Sequence, residues 1–314
     1  MRTTILSFAL IASPLLSAQS ISPSVIGSAG GTGIVGTTTL SWTIGETAVS
    51  TLDNGSNILT LGFHQGDPVR LKVNIRAFLQ GPYNSGNGLM DDGLRANSLI
   101  PTQEPYTALG YVFVGGGNES TTQPIIDFPG TNAIIDWVVL ELRDKNDNTS
   151  ILQSRAALLQ ADGDVVDVDG FSAVSISVPS DSYTIAVLHR NHLGVMSAAP
   201  IALTGTAVSV DFTDGSTPTY GTEAQVVMGA THLLWSGDVN GDGVIKYTGA
   251  NNDRDPILVA IGGTVPTNVV SGYLPSDVNM DGSVKYTGAG NDRDPILVNV
   301  GGTVPTNVRV GQMP

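Results

Sequence analysis

Short runs in which apolar and polar residues alternate with a period of two recur along much of this chain ahead of residue 235. In "RLKVNIRAFL" (70–79) Leu71, Val73, Ile75, Ala77 and Leu79 fall on one face, with Lys72, Asn74 and Arg76 on the other. That is the signature of a half-buried strand. "AIIDWVVLELRD", "VSISV", "SYTIAVLHR" and "AVSVDF" repeat the theme between turn signals such as "DKNDN" (144–148) and "ADGD" (161–164). Earlier, "TLSWTIGE", "TAVSTL" and "NILTLGF" read as short strands, with "DNGS" (53–56) a tight turn between two of them. No long segment shows the 3.6-residue period of a helix. The pattern predicts a mainly β protein: a small β-module over 19–67, an immunoglobulin-like or jelly-roll β-sandwich over 68–234, and a different kind of unit from 235 onward.

That last unit is written twice. "GDVNGDGVIKYTGANNDRDPILVAIGGTVPTN" from Gly237 is followed by "SDVNMDGSVKYTGAGNDRDPILVNVGGTVPTN" from Ser276, and Asp238 and Asp277 stand 39 residues apart, as do Asp253 and Asp292. Ungapped duplication builds two copies of one supersecondary unit that pack together. Each copy opens with D-x-N-x-D-G, the first half of an EF-hand-like calcium loop, in which positions 1, 3 and 5 supply side-chain oxygens, glycine at 6 makes the sharp turn and position 7 lends a carbonyl. Asp238, Asn240, Asp242 and Val244 fill positions 1, 3, 5 and 7 of the first loop; Asp277, Asn279, Asp281 and Ser283 fill them in the second. Position 12 falls on Gly249 or Gly288, which carry no carboxylate, so the loop is closed later. If "YTGANN" and "YTGAGN" bulge outward as insertions, Asp255 and Asp294 return to complete the sphere, and Asp253 and Asp292 cap a short helix with proline in its first turn; the two assignments are interchangeable at this level. Lys246 and Lys285, at position 9, cannot be ligands. The expected cofactor is calcium, at two sites.

These repeats resemble dockerin domains, paired calcium-loop units of secreted proteins that dock to partner modules, with a shorter helix behind each loop. The resemblance implies calcium binding and a protein partner. The lengthened "KYTGxxNDRDPIL" form, with "SWTIGE" and "ILTLGFHQ" near the N-terminus, is similar to segments of surface and secreted proteins of bacteria that use the type IX export route.

Composition narrows the function classes. Lys and Arg number 14 against 28 Asp and Glu, giving a formal charge of -14, which repels nucleic acid and anionic lipid and favours cations. The first eighteen residues, with Arg2, an apolar run from Ile5 to Leu16 and small residues at Ser17 and Ala18, read as a secretory signal peptide. No later apolar stretch approaches the ~18 residues of a membrane span. There is no cysteine, so stability outside the cell comes from packing, metal or both.

Catalytic patterns are weak. "HRNH" places His189 and His192 on opposite faces if it is one strand, a poor metal geometry. Asp136 and Glu141, five apart around Trp137, likewise face opposite sides and make a poor glycosidase pair. "ADGDVVDVDG" (161–170) reads as a solvated acidic hairpin, "GGGNES" (115–120) lacks the Gly-Lys-Ser/Thr of a phosphate loop, and Trp42, Trp137 and Trp235 read as core residues. The expectation is a non-enzymatic, secreted bacterial surface protein that binds calcium and serves attachment or assembly, by a protein partner or by self-association through strand edges. The alternative is a carbohydrate-binding accessory protein that carries a polysaccharide ligand.

Overall fold

A computed structural model describes residues 70–314, together with the backbone of four strands ahead of them. The predicted signal peptide lies outside the described residues. The four early strands form two hairpins: β1 (Ala29–Val35) with β2 (Thr38–Ile44), and β3 (Thr51–Asp53) with β4 (Ile58–Thr60), all antiparallel. They belong to one compact unit spanning 1–67, and residues 68–314 form a second.

The second unit is mainly β. β5 (Arg70–Arg76) alternates as its sequence requires, with Leu71, Val73 and Ile75 buried between exposed Lys72 and Asn74. β8 (Ile134–Asp144) is buried along ten of its eleven residues, because it lies between β9 (Ile151–Gln160) and β12 (Asp181–His189) and is covered on its faces as well. Trp137 sits fully buried at its middle. The sheet continues through β10 (Asp164–Val166), which bridges β9 to β5, and through β11 (Val174–Ser177) on β5. At the opposite end β13 (His192–Met196) and β14 (Ile201–Leu203) share the outer edge of β12, while β15 (Val208–Asp211) pairs parallel to β5. This nine-stranded sheet is bent so far that β14 comes against β5. Its inner residues therefore enclose one large apolar core in a sandwich-like manner.

Small elements close the rims. β6 (Tyr83–Asn84) pairs β7 (Leu89–Met90), the one-turn helix α1 (Gly93–Ala96) lies against β8, and α2 (Gln123–Ile126) buries Ile126. β16 (Gln225–Met228) and β17 (Thr231–Leu234) make the last hairpin before the repeats.

The repeats are short. The first contributes β18 (Val244–Lys246), α3 (Arg254–Ala260) and β19 (Val269–Ser271); the second contributes β20 (Ser283–Lys285), α4 (Arg293–Asn299) and β21 (Val308–Val310). Their strands are exchanged. β18 of the first copy pairs with β21 of the second, and β20 of the second pairs with β19 of the first. Thr248 donates to the carbonyl of Pro305 (2.9 Å) and Thr287 to that of Pro266 (3.0 Å) in the same reciprocal sense. Val239, Ile245, Ile257, Val278, Val284 and Ile296 fill one shared core, so neither copy buries its apolar side chains alone. Each copy therefore depends on the other for burial. Among the described residues no helix is long and apolar enough to cross a membrane.

Candidate metal centre

Each loop is wound around its first aspartate. In the first copy, Asp238 Oδ1 accepts from the N–H of Asp242 (3.1 Å) and Oδ2 from that of Gly243 (3.0 Å); Asn240 Oδ1 also accepts from Asp242 (2.9 Å), and Asp242 Oδ1 from Val244 (2.9 Å). The second copy repeats this with Asp277, Asn279 and Asp281, receiving the N–H groups of Asp281, Gly282 and Ser283 at 2.8 to 3.2 Å. Gly243 and Gly282 have φ of 78° and 85°, the left-handed region that glycine enters freely and that brings the next N–H back to position 1. Val244 and Ser283 then lead directly into β18 and β20.

The late aspartates are resolved by a pinch at the loop base. Asp253 donates its N–H to the carbonyl of Lys246 (2.9 Å), and its Oδ2 accepts the N–H of Lys246 (2.7 Å). Residues 247–252 are thereby excluded as a separate bulge, and Asp253 follows Lys246 in space. Its Oδ1 reaches across to the N–H groups of Val239 (2.8 Å) and Asn240 (3.3 Å). Asp292 makes the same contacts with Lys285, Val278 and Asn279. Asp253 and Asp292 stand at the N-cap positions of α3 and α4 but make no capping bond.

Asp255 and Asp294, the other candidates for closing the loops, are turned away. Asp255 is exposed and ion-paired to Arg254 at 3.0 Å, and it forms a reciprocal pair with Asn252: Asn252 Nδ2 donates to Asp255 Oδ2 (2.8 Å) while Asp255 N–H donates to Asn252 Oδ1 (2.9 Å). Asn252, one residue ahead of the N-cap position, thus satisfies a first-turn N–H of the helix that Asp253 leaves alone, which separates two assignments that are interchangeable in the sequence. Asn291, Arg293 and Asp294 repeat the arrangement.

Electrostatics separate the two kinds of aspartate. Burial, with like charge from Asp238, pushes Asp253 up to about 7; burial and Asp277 push Asp292 up to about 7. Burial also raises Asp238, and takes Asp277 to about 6 although Arg190 pulls it the other way. Asp255 and Asp294 are instead lowered, first by their asparagine partners and then by their arginines. Lys285 Nζ lies 3.0 Å from Asp281 and Lys246 Nζ 4.0 Å from Asp242. Asp238, Asp253, Asp277 and Asp292 are not in any ion pair among the described residues. Also among them, no three His, Cys, Asp or Glu side chains are gathered as a metal cluster. A cation placed here would find two buried carboxylates per loop, the more exposed carboxylate of Asp242 or Asp281, and the oxygens of asparagine and of the main chain. An all-oxygen set of this kind suits a hard ion such as calcium rather than zinc or copper.

The histidines do something the sequence reading missed. Arg190 and Asn191 form the turn between β12 and β13, so His189 and His192 lie on different strands and face each other, Nδ1 to Nδ1, at 3.0 Å. Gly81 N–H donates to His192 Nε2 (3.0 Å), which places the His192 proton on Nδ1. His189 accepts there and donates from Nε2 to Asp136 Oδ2 (3.1 Å). Asp136 also takes Arg190 Nε (3.1 Å), Trp137 N–H (2.7 Å) and Tyr273 OH (2.5 Å). Burial opposes its charge, but Arg190, His189 and Tyr273 outweigh burial and hold Asp136 below its usual range; burial lowers both histidines, which are therefore neutral. Glu141 belongs to a separate pair with Arg143 (2.6 Å) and Tyr111 (2.6 Å), so the two carboxylates share no partner. In the acidic hairpin, Asp164 pairs with Arg76 and Asp167 with Arg155. Comparison with protein families, with curated proteins and with solved structures gives no match for this chain.

Proposed function

We propose that this is a secreted, calcium-binding, non-enzymatic surface protein of bacterial origin, in which a dockerin-like pair of EF-hand-like loops takes one calcium ion each and an immunoglobulin-like sandwich carries the attachment or assembly function. The observation that supports it best is the pair of buried carboxylates in each loop, Asp238 with Asp253 and Asp277 with Asp292, with no ion pair on any of them among the described residues. Buried charges in proteins are paired or bound to metal, because an uncompensated one costs several kcal/mol. A divalent cation between them turns a mutual repulsion into an attraction. The ligands are Asp238, Asn240, Asp242, Asp253 and the Val244 carbonyl in the first loop, and Asp277, Asn279, Asp281, Asp292 and the Ser283 carbonyl in the second. Calcium at extracellular millimolar levels then stabilises the exchanged repeat pair by mass action, and a partner protein or a second copy docks on the ordered unit. Scanning calorimetry of the full chain with excess calcium and with chelator tests this: the melting temperature rises with calcium, and an unchanged value refutes it.

A second reading, a carbohydrate-binding accessory role, is favoured by two exposed aromatics. Phe128 and Phe171 are 60% and 77% exposed; the Phe128 N–H donates to the Ile125 carbonyl, and Gly170, next to Phe171 in the chain, lies against the Ile125 side chain. Rings left in water at this cost suit stacking on a sugar face. Glycan-array binding that disappears in Phe171→Ala supports it, and silence of the wild type removes it.

A further inference from the structure

Where the two copies differ in sequence, they differ in how they meet the sandwich. The first loop carries Gly241 between Asn240 and Asp242; the second carries Met280 between Asn279 and Asp281. Asn240, Gly241 and Asp242 are exposed. Met280 is 1% exposed and belongs to the main core of the sandwich, not to the core of the repeats. It does so with φ at 60°, a conformation that costs an unbranched L-residue roughly 1 kcal/mol or more and that glycine meets without penalty. The second loop has a strained anchor where the first has none.

Other contacts follow the same asymmetry. Asn191, fully buried at the β12–β13 turn, donates from Nδ2 to the main-chain carbonyls of Pro275 (2.9 Å) and of Asp277 itself (2.7 Å). Arg190 donates to the carbonyl of Leu274 (2.8 Å) and lies 4.3 Å from the ring of Tyr273, whose hydroxyl ends on Asp136. Asn97 donates to the carbonyl of Asp281 (3.3 Å), and a Cβ placed on Gly282 would stand 2.9 Å from Leu99. The first loop meets the same turn ahead of its ligands, where Gly237 N–H donates to the Asn191 carbonyl (2.9 Å), and its outer arc stays in water.

We infer that the two loops have different tasks: the second is a joint between the repeats and the sandwich, with Asn191 and Met280 as the positioning residues that carry its occupancy to the β12–β13 hairpin, while the first responds to calcium on its own. This rests on the calcium reading above. Filling the second loop fixes the main chain at Asp277 and Asp281, to which Asn191 and Asn97 are bonded, so ordering passes into residues 185–196 and the buried Asp136 cluster. Filling the first loop fixes residues 238–244, which share the core of the repeats with Leu193 of the hairpin but, among the described residues, have no hydrogen bond from the sandwich.

Hydrogen exchange with mass-spectrometric readout on the full chain, with and without calcium chloride, tests the inference alongside calorimetric titration. Calcium slows exchange in the 185–196 hairpin about tenfold in the wild type and in Asp238→Asn, and has no effect there in Asp277→Asn. Asn191→Ala weakens the second site about tenfold, as expected for two lost buried hydrogen bonds, and leaves the first unchanged; Met280→Gly keeps both sites and loses the protection of the hairpin. If Asn191→Ala does not fold, the Met280→Gly and Asp277→Asn arms decide the matter. Titration without heat in the wild type overturns the calcium reading itself. Two sites that bind normally, with hairpin protection absent or equally dependent on both loops, overturn the inference and leave calcium binding standing.

Discussion

Calcium binding to these loops should expel protons, and Asp253 and Asp292 set how many. Each is pushed up to about 7, first by burial and then by the aspartate that begins its loop. Each is therefore about nine-tenths protonated at pH 6 and about one-tenth at pH 8. A cation competes with that proton, so affinity at each loop falls about tenfold from pH 8 to pH 6, equivalent to about 1.4 kcal/mol. Asp277, taken to about 6, adds roughly half a proton at pH 6 and makes the second loop the steeper. For stability without metal the direction is opposite to that of an ordinary ion-paired carboxylate. A raised carboxylate binds its proton more tightly in the folded chain, so the metal-free fold is favoured in acid and loses stability as pH rises from about 4 to about 7. Calcium offsets that loss above the window. The buried His189 and His192 also titrate on unfolding, but they do so with or without calcium and cancel in the difference. Isothermal titration at pH 6, 7 and 8, in two buffers of different ionisation enthalpy, reads affinity and proton release together. An affinity independent of pH, with heats independent of buffer, would refute the assignment of the buried aspartates as ligands.

Asp253→Asn and Asp292→Asn each abolish one site in the same titration, whereas Asp255→Asn and Asp294→Asn change affinity by less than about threefold, since both side chains point away from the loop; the reverse order would reinstate the later aspartates. Arg190→Met leaves Asp136 buried without its cation and lowers stability by about 3 to 5 kcal/mol, measured by urea denaturation in calcium, and a loss below about 1 kcal/mol would show that the cluster is peripheral. His189 and His192 are held neutral by burial and have lowered values, so the unfolded chain takes up protons first: stability is full above about 6.5 and is lost as pH falls below it. His189→Gln flattens that acid limb whether calcium or chelator is present, and an unchanged limb would place the acid sensitivity elsewhere.

The parts of the fold legible in the sequence are those with local causes. The alternation of Leu71, Val73 and Ile75 sets the faces of β5, and glycine at positions 243 and 282 marks the loop turns. What escaped depends on partners far along the chain. Whether Asp253 or Asp255 turns inward is decided by the pinch at Lys246 and by Asn252 taking a first-turn N–H of the helix, and both are two-residue choices of side-chain direction that spacing does not encode. On a single strand "HRNH" would send its two imidazoles to opposite faces; Arg190 and Asn191 make a turn instead, and that turn brings the imidazoles together. The exchange of β19 and β21 between repeats has no sequence signal, since near-identical copies can pair within or across. Met280 was visible as a departure from its twin, but its meaning needed the sandwich core against which it packs.

The central claim is that each loop holds one calcium ion, and counting ions tests it most directly. Equilibrium dialysis of the full chain against radiolabelled calcium at pH 8 should give two ions per chain for the wild type, one for Asp238→Asn or Asp277→Asn, and none for the double variant. A wild-type chain that retains no calcium above the buffer concentration at millimolar levels contradicts the account.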